Sequence, residues 1–152
     1  MNEVPDGWAR ITVSTEPRKL LQNGLNFTVT IVPINADASS TPPRRCGAIV
    51  DTGAEQSCVS PGLAKSFPDA IKGKRNIWSI THQLLNDEPT IKCKLTYDNG
   101  ISETAEFTVL RELEPYDVLI GRDMLRSTKL NVDFTKGSWN IEFKLPAAPE
   151  SP

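Results

Sequence analysis

The sequence predicts an all-β fold, and three observations predict it. Proline and glycine, 12 and 9 of them in 152 residues, recur at short intervals. The stretches between them alternate apolar and polar side chains, the pattern of half-buried strands. Only two short stretches carry helix signals. Residues 8–13 alternate, and residues 25–31 do so over seven positions, with β-branched residues on both faces. Residues 35–45 are small, polar and proline-rich and predict an exposed loop leading into a buried strand, Cys46 to Val50. Segments 76–81 and 90–97 bracket the polar patch Asn86-Asp87-Glu88-Pro89 as a hairpin turn would. Asp98-Asn99-Gly100 is a stronger turn signal, because Asn and Gly tolerate the left-handed backbone of tight hairpins, and residues 101–110 supply the returning strand. The helical stretches are 61–67, with proline in its first turn, and 123–128, after Gly121.

The length suits one compact domain, expected over 8–145, with an N-terminal extension at 1–7 and a loose tail at 146–152. The chain carries 17 basic and 19 acidic side chains, for a net charge of -2. That offers no broad cationic surface for phosphate backbones, so no nucleic-acid partner is expected. The longest apolar runs, such as Ala48-Ile49-Val50 and Val118-Leu119-Ile120, are three residues. No membrane partner or export signal is expected from runs so short. Cys46, Cys58 and Cys93 match neither metal knuckles nor a disulfide framework and predict reduced thiols in a cytoplasmic protein. His82 is the only histidine, which removes most metal-site and Ser-His-Asp chemistry; no metal or cofactor is expected. His82 itself reads as an exposed hairpin residue, and Cys58 as packing.

The informative residues are Ile49-Val50-Asp51-Thr52-Gly53-Ala54, which deliver an acid from the end of a buried strand into a Thr-Gly turn. A carboxylate is costly to bury alone, and the usual escapes are a cation, a metal, or a second carboxyl sharing one proton. The only cations within ten residues are Arg44 and Arg45. Two carboxyls in contact divide the work: one acts as general base on a water and the other donates to a carbonyl oxygen. Gly53 admits a close backbone, and the Thr52 hydroxyl can hold the turn rigid. Alone, Asp-Thr-Gly is equally an ordinary turn after a strand.

In context, Ala48-Ile49-Val50-Asp51-Thr52-Gly53-Ala54-Glu55-Gln56-Ser57 resembles the active-site strand and loop of the retropepsins, the retroviral and retrotransposon proteases. Further on, Asp117-Val118-Leu119-Ile120-Gly121-Arg122-Asp123-Met124-Leu125 resembles that family's strand-to-helix segment. The resemblance implies a closed β-barrel subunit with a flap hairpin and one short C-terminal helix, assembled as a homodimer. It makes Asp51 the catalytic acid, with Thr52, Gly53 and Arg122 as supports and Glu55 the acid paired with Arg122. Gly53, Ala54 and Glu55 would line the substrate backbone, and Ile49 and Leu119 its side-chain pockets. The flap at 76–86 would add Trp78 and Ile80 from above. This flap lacks the glycine-rich tip of the viral enzymes and looks more like those of LTR retrotransposon proteases, such as the gypsy type. Trp78 is equally an aromatic in a cross-strand pair.

The chain contains one Asp-Thr-Gly, so the second carboxyl must come from a second copy, with Asp51 beside its twin on a two-fold axis. Residues 11–13 and 130–134 are the candidate interface strands, although a further strand at 139–143 implies a differently built interface. The expected activity is an aspartic endopeptidase that processes a retroelement Gag-Pol-type polyprotein. The competing readings are a non-catalytic retropepsin fold that dimerises or binds peptides, and a monomeric β-barrel with a coincidental triplet.

Overall fold

The computed structural model describes residues 4–35, 41–79, 81–113 and 115–146. Among the described residues, ten strands dominate: β1 (Trp8–Ser14), β2 (Leu25–Pro33), β3 (Arg44–Val50), β4 (Cys58–Val59), β5 (Lys72–Trp78), β6 (Leu84–Thr96), β7 (Ser102–Val109), β8 (Val118–Ile120), β9 (Thr128–Asp133) and β10 (Ser138–Lys144). The all-β expectation therefore holds. Three short helices accompany them: α1 (Pro17–Asn23), α2 (Pro61–Lys65) and α3 (Arg122–Leu125), with one 3-10 turn at Arg111–Leu113.

Strands β2, β3, β8, β4, β7 and β6 are hydrogen-bonded in that order, and β2 also pairs with β6, closing a six-stranded barrel. Closure removes the open edges that a sheet of this size would otherwise expose. Strand β8 threads between β3 and β4, parallel to the first and antiparallel to the second. Alternation explains the packing: Cys46, Ala48 and Val50 of β3 are buried, as are Val29 and Ile31 of β2 and Cys93 and Leu95 of β6.

The second sheet has the order β1-β10-β9. It turns Ile11, Val13, Trp139, Ile141, Phe143, Leu130 and Val132 to the core. Aromatic contacts tie it to the barrel: Phe27 of β2 stands edge-on to Trp139 with centroids 5.3 Å apart, and Tyr97 lies 4.4 Å from Phe143. Such pairs contribute about 1 kcal/mol each beyond their buried area. Its outer face is polar, with Arg10 paired to Glu142 at 3.1 Å. The expected interface strands become the two outer strands of this sheet, with β10 between them.

Three expectations need correction. Asn86-Asp87-Glu88-Pro89 is not a turn; it lies inside β6, and the β5–β6 hairpin is closed instead by the Ser79 amide on the Gln83 carbonyl. The patch's turn chemistry went into an irregularity of the ladder. The register shifts between Arg75 and Ile77, Asp87 has φ 57°, and its amide donates to Asn76 Oδ1 at 3.1 Å. Second, α1 lies outside the two stretches read as helical, 61–67 and 123–128. In α1, Pro17 opens the helix and the Gly24 amide, at φ 71°, closes onto the Leu20 carbonyl. Third, the helix expected at 123–128 ends earlier, since β9 begins at Thr128. No helix among the described residues is long and apolar enough to cross a membrane. Ile80, residues 36–40 of the expected loop and residues 147–152 of the expected tail lie outside the described residues.

Candidate active site

Asp51 follows directly on β3, its amide donating to the Ile120 carbonyl at 3.0 Å, so the barrel's β3–β8 pair delivers it to the loop. The Gly53 amide donates to Asp51 Oδ1 at 2.8 Å, and the Ala54 amide to the Asp51 carbonyl at 3.2 Å. One carboxylate oxygen is thus oriented by its own turn. A Cβ at position 53 would stand 3.1 Å from that oxygen, a tight contact that the glycine avoids. An acid at the end of a buried strand is expected to be buried with it. In the single chain Asp51, Thr52 and Gly53 are exposed, because the strand that delivers them ends at the molecular surface.

A second segment grips the loop from behind. After β8, successive amides of the α3 turn point into it: Gly121 donates to Ser57 Oγ at 2.9 Å, Arg122 to the Ala54 carbonyl at 2.8 Å and Asp123 to the Glu55 carbonyl at 3.2 Å. These are the amides that a helix start leaves without partners, here spent on fixing the loop. Asp123 adds its carboxylate, accepting from Ser57 Oγ at 2.6 Å and the Ser57 amide at 3.1 Å. Gly121 is required, since a Cβ there would meet the Gln56 and Ala54 backbone at 2.8–2.9 Å.

The arginine brace takes a different form from the one expected. Arg122 Nη1 donates to the Thr52 carbonyl at 2.8 Å. The ion pairs among the described residues are Arg10–Glu142 and Arg45–Asp98, and Glu55 is not joined to Arg122 by one. Glu55 is exposed, with only its carbonyl held. Solvation at this surface competes with such a pair, whereas a backbone carbonyl in the turn is a fixed acceptor.

Beside the loop lies a small apolar cluster of Cys58, Ile77, Leu110, Leu113 and Leu119, with Ile49, Ala54, Leu85 and Tyr116 packed on it. It brings the predicted pocket residues Ile49 and Leu119 together with Ala54 and the flap strands. Trp78 is not part of that cluster; it is 63% exposed and pairs across the hairpin with Leu84. The tip needs no glycine, because His82 itself takes the left-handed backbone, at φ 60°, and its amide closes onto the Ser79 carbonyl. Ser79 Oγ and Thr81 Oγ1 stand 2.9 Å apart within this turn.

The sequence pattern assigns no role to Ser57, Thr108 or Arg75, and marks Asp123 only as a solvated residue at a helix start. Ser57 and Asp123 lay inside the two matching motifs; the hydrogen bond between them was not visible from either alone. Burial pushes the Cys58 thiol up to about 12, which fits packing rather than chemistry. Among the described residues no group of His, Cys, Asp and Glu stands together in a metal-holding arrangement. Two clefts of about 430 and 480 Å³ lie elsewhere, one lined by Glu103, Asp123 and Arg126, the other by Val13, Phe27 and Tyr116; Asp51 lines neither.

No curated protein matches the chain in sequence. The profile of the retroviral aspartyl protease family matches residues 24–133, which hold the barrel, the Asp51 loop, the flap hairpin and the Gly121 turn. That match spans well over half of the sequence, and the chain belongs to the retroviral aspartyl protease family.

Proposed function

We propose that the protein is an aspartic endopeptidase whose active site forms when two copies bring Asp51 beside Asp51. The observation that carries this reading is the Asp51 carboxylate itself. One of its oxygens is held by the Gly53 amide in a loop braced from behind by Arg122 and by the Ser57–Asp123 pair. Such preorganisation suits a group that must hold or release a proton without moving. The exposure of Asp51, Thr52 and Gly53 also fits a surface that a second copy covers.

In this reading the two carboxyls share one proton, since like charges in contact cannot both ionise. The ionised Asp51 takes a proton from a water as its oxygen bonds to the scissile carbonyl carbon. The protonated partner donates to the carbonyl oxygen, giving a tetrahedral diol. Collapse of the diol breaks the C–N bond, the amide nitrogen receives a proton, and the shared proton is restored between the carboxyls. The Thr52 hydroxyls link the two loops beneath the dyad, and Gly53, Ala54 and Glu55 line the substrate backbone. Ile49 and Leu119, already in an apolar cluster with the flap's Ile77 and Leu85, receive apolar side chains on either side of the cleaved bond. The natural substrate is a Gag-Pol-type polyprotein of a retroelement.

The test is digestion of a peptide library at acidic and near-neutral pH by wild type and by Asp51→Asn. Wild type should cleave and the variant should not, at unchanged fold and dimer mass. Undiminished cleavage by Asp51→Asn sinks the mechanism.

A further inference from the structure

Arg75 sits on β5, half-buried between the exposed Lys74 and Asn76. Among the described residues β5 pairs with β6 alone, yet the Arg75 side chain reaches past β6 to β7. Its Nε donates to Thr108 Oγ1 at 2.8 Å, and Nη2 donates to the Glu106 carbonyl. Thr108 is fully buried; its hydroxyl donates to Gln56 Oε1 at 3.3 Å and its amide to the Ser57 carbonyl at 3.1 Å. One chain of hydrogen bonds thus runs from the flap strand to the two residues that end the Asp51 loop.

The position of Arg75 along β5 matters. The next residue begins the ladder irregularity, where Asn76 Oδ1 accepts from the Asp87 amide and Asp87 adopts φ 57°. Beyond it lie the flap residues Ile77, Trp78, Leu84 and Leu85. A hinge needs one side fixed and one side free to turn. Arg75 is the last anchored residue before the break, and its guanidinium fork suits two acceptors at once.

We infer that Arg75 is a positioning residue that fixes the base of the flap to the active-site loop through Thr108 and Gln56, so that the arm beyond Asn76 closes on substrate at a set height above Asp51. The inference rests on the protease reading for its kinetic consequence, though not for its structural one. Arg75 touches no reacting atom, so its loss acts on substrate capture and leaves the dyad's chemistry in place.

The experiment compares wild type with Arg75→Met, Arg75→Lys, Thr108→Val and the Arg75→Met/Thr108→Val double variant. Peptide-cleavage kinetics are measured together with amide hydrogen exchange over residues 72–78 and 84–91. Methionine keeps the apolar stem. Arg75→Met should raise KM about tenfold with kcat within about threefold, the loss expected for a charged hydrogen bond used in closure. Thr108→Val should act alike, the double variant should be no worse than the worse single, and Arg75→Lys should recover part of the loss. Exchange at the flap base should quicken in Arg75→Met and stay at the wild-type rate in Asp51→Asn. Additive losses, a fall in kcat at unchanged KM, or unchanged exchange in Arg75→Met each overturn the inference. If wild type cleaves nothing, the proposed function fails, while exchange in Arg75→Met still decides the anchoring role.

Discussion

Ser57 and Asp123 stand 66 positions apart and hold each other by two hydrogen bonds, hydroxyl to Oδ1 at 2.6 Å and amide to Oδ2 at 3.1 Å. The same Ser57 hydroxyl accepts from the Gly121 amide, and Asp123 Oδ1 also takes the Met124 amide, so the pair joins the end of the Asp51 loop to the start of α3. Removing either partner leaves part-buried polar groups unpaired. Ser57→Ala and Asp123→Ala should each lower stability by about 2 kcal/mol. The double variant should fall short of the sum by about 1 kcal/mol or more, as coupled neighbours do. Urea unfolding of the four proteins measures this, and strict additivity would refute the coupling.

Gly121 makes a sharper prediction about space. A methyl there would lie 2.8 Å from the Gln56 carbonyl carbon and 2.9 Å from the Ala54 oxygen, backbone atoms that cannot swing aside. Gly121→Ala should cost about 3 kcal/mol, at the upper end for overpacking, and should abolish cleavage by displacing the Asp51 loop. Gly62 in α2 is the control, since a Cβ there meets nothing within 4 Å. Gly62→Ala should leave cleavage unchanged and stabilise by about 0.5 kcal/mol through the unfolded chain. Thermal unfolding of the two variants should therefore shift in opposite directions.

What the sequence made legible follows from the range of the interactions. Strands such as residues 25–31 and the Asp98-Asn99-Gly100 turn are specified by neighbours within a few residues, and alternation and turn chemistry report them directly. The Asp51 loop and the Gly121 turn were legible as motifs because each is contiguous. Asn86–Pro89 misled for a physical reason: residues that favour turns also favour bulges, and which one forms depends on the partner strand, here through Asn76. Glu55 was assigned to Arg122 by resemblance, but the arginine's reach to the Thr52 carbonyl depends on how the loop is folded. The Arg75–Thr108–Gln56 chain spans three separated segments and leaves no local pattern at all.

Glu103 carries the pH prediction. Burial raises its carboxyl above the ordinary value and Asp123 adds to the rise, while the Arg126 guanidinium offsets part of it. The folded chain therefore binds this proton more tightly than the unfolded chain, whose glutamate titrates near about 4.3. Stability from this group is greatest when it is protonated and falls as pH rises from the unfolded value through the folded one. Glu103→Gln should thus melt higher than wild type at pH 7, with the gap narrowing as pH approaches about 4. Melting curves across that range test it, and a gap that widens toward acid pH contradicts the assignment.

Mixing wild type with Asp51→Asn separates a shared active site from a self-contained one. If each subunit supplies one carboxylate, a mixed dimer holds a single acid and lacks the proton-sharing partner. Activity at fixed total protein should then follow the square of the wild-type fraction, so an equal mixture, allowed to exchange subunits, should keep roughly a quarter of the wild-type rate. A self-contained site would keep roughly half, because inactive copies would only dilute active ones. Asp51→Asn is suited to this because the Gly53 amide donates to a carboxylate oxygen that the asparagine carbonyl can replace, so the loop survives the change. A linear dependence on the wild-type fraction would place the second acid within the same chain, and no second Asp-Thr-Gly exists there to supply it.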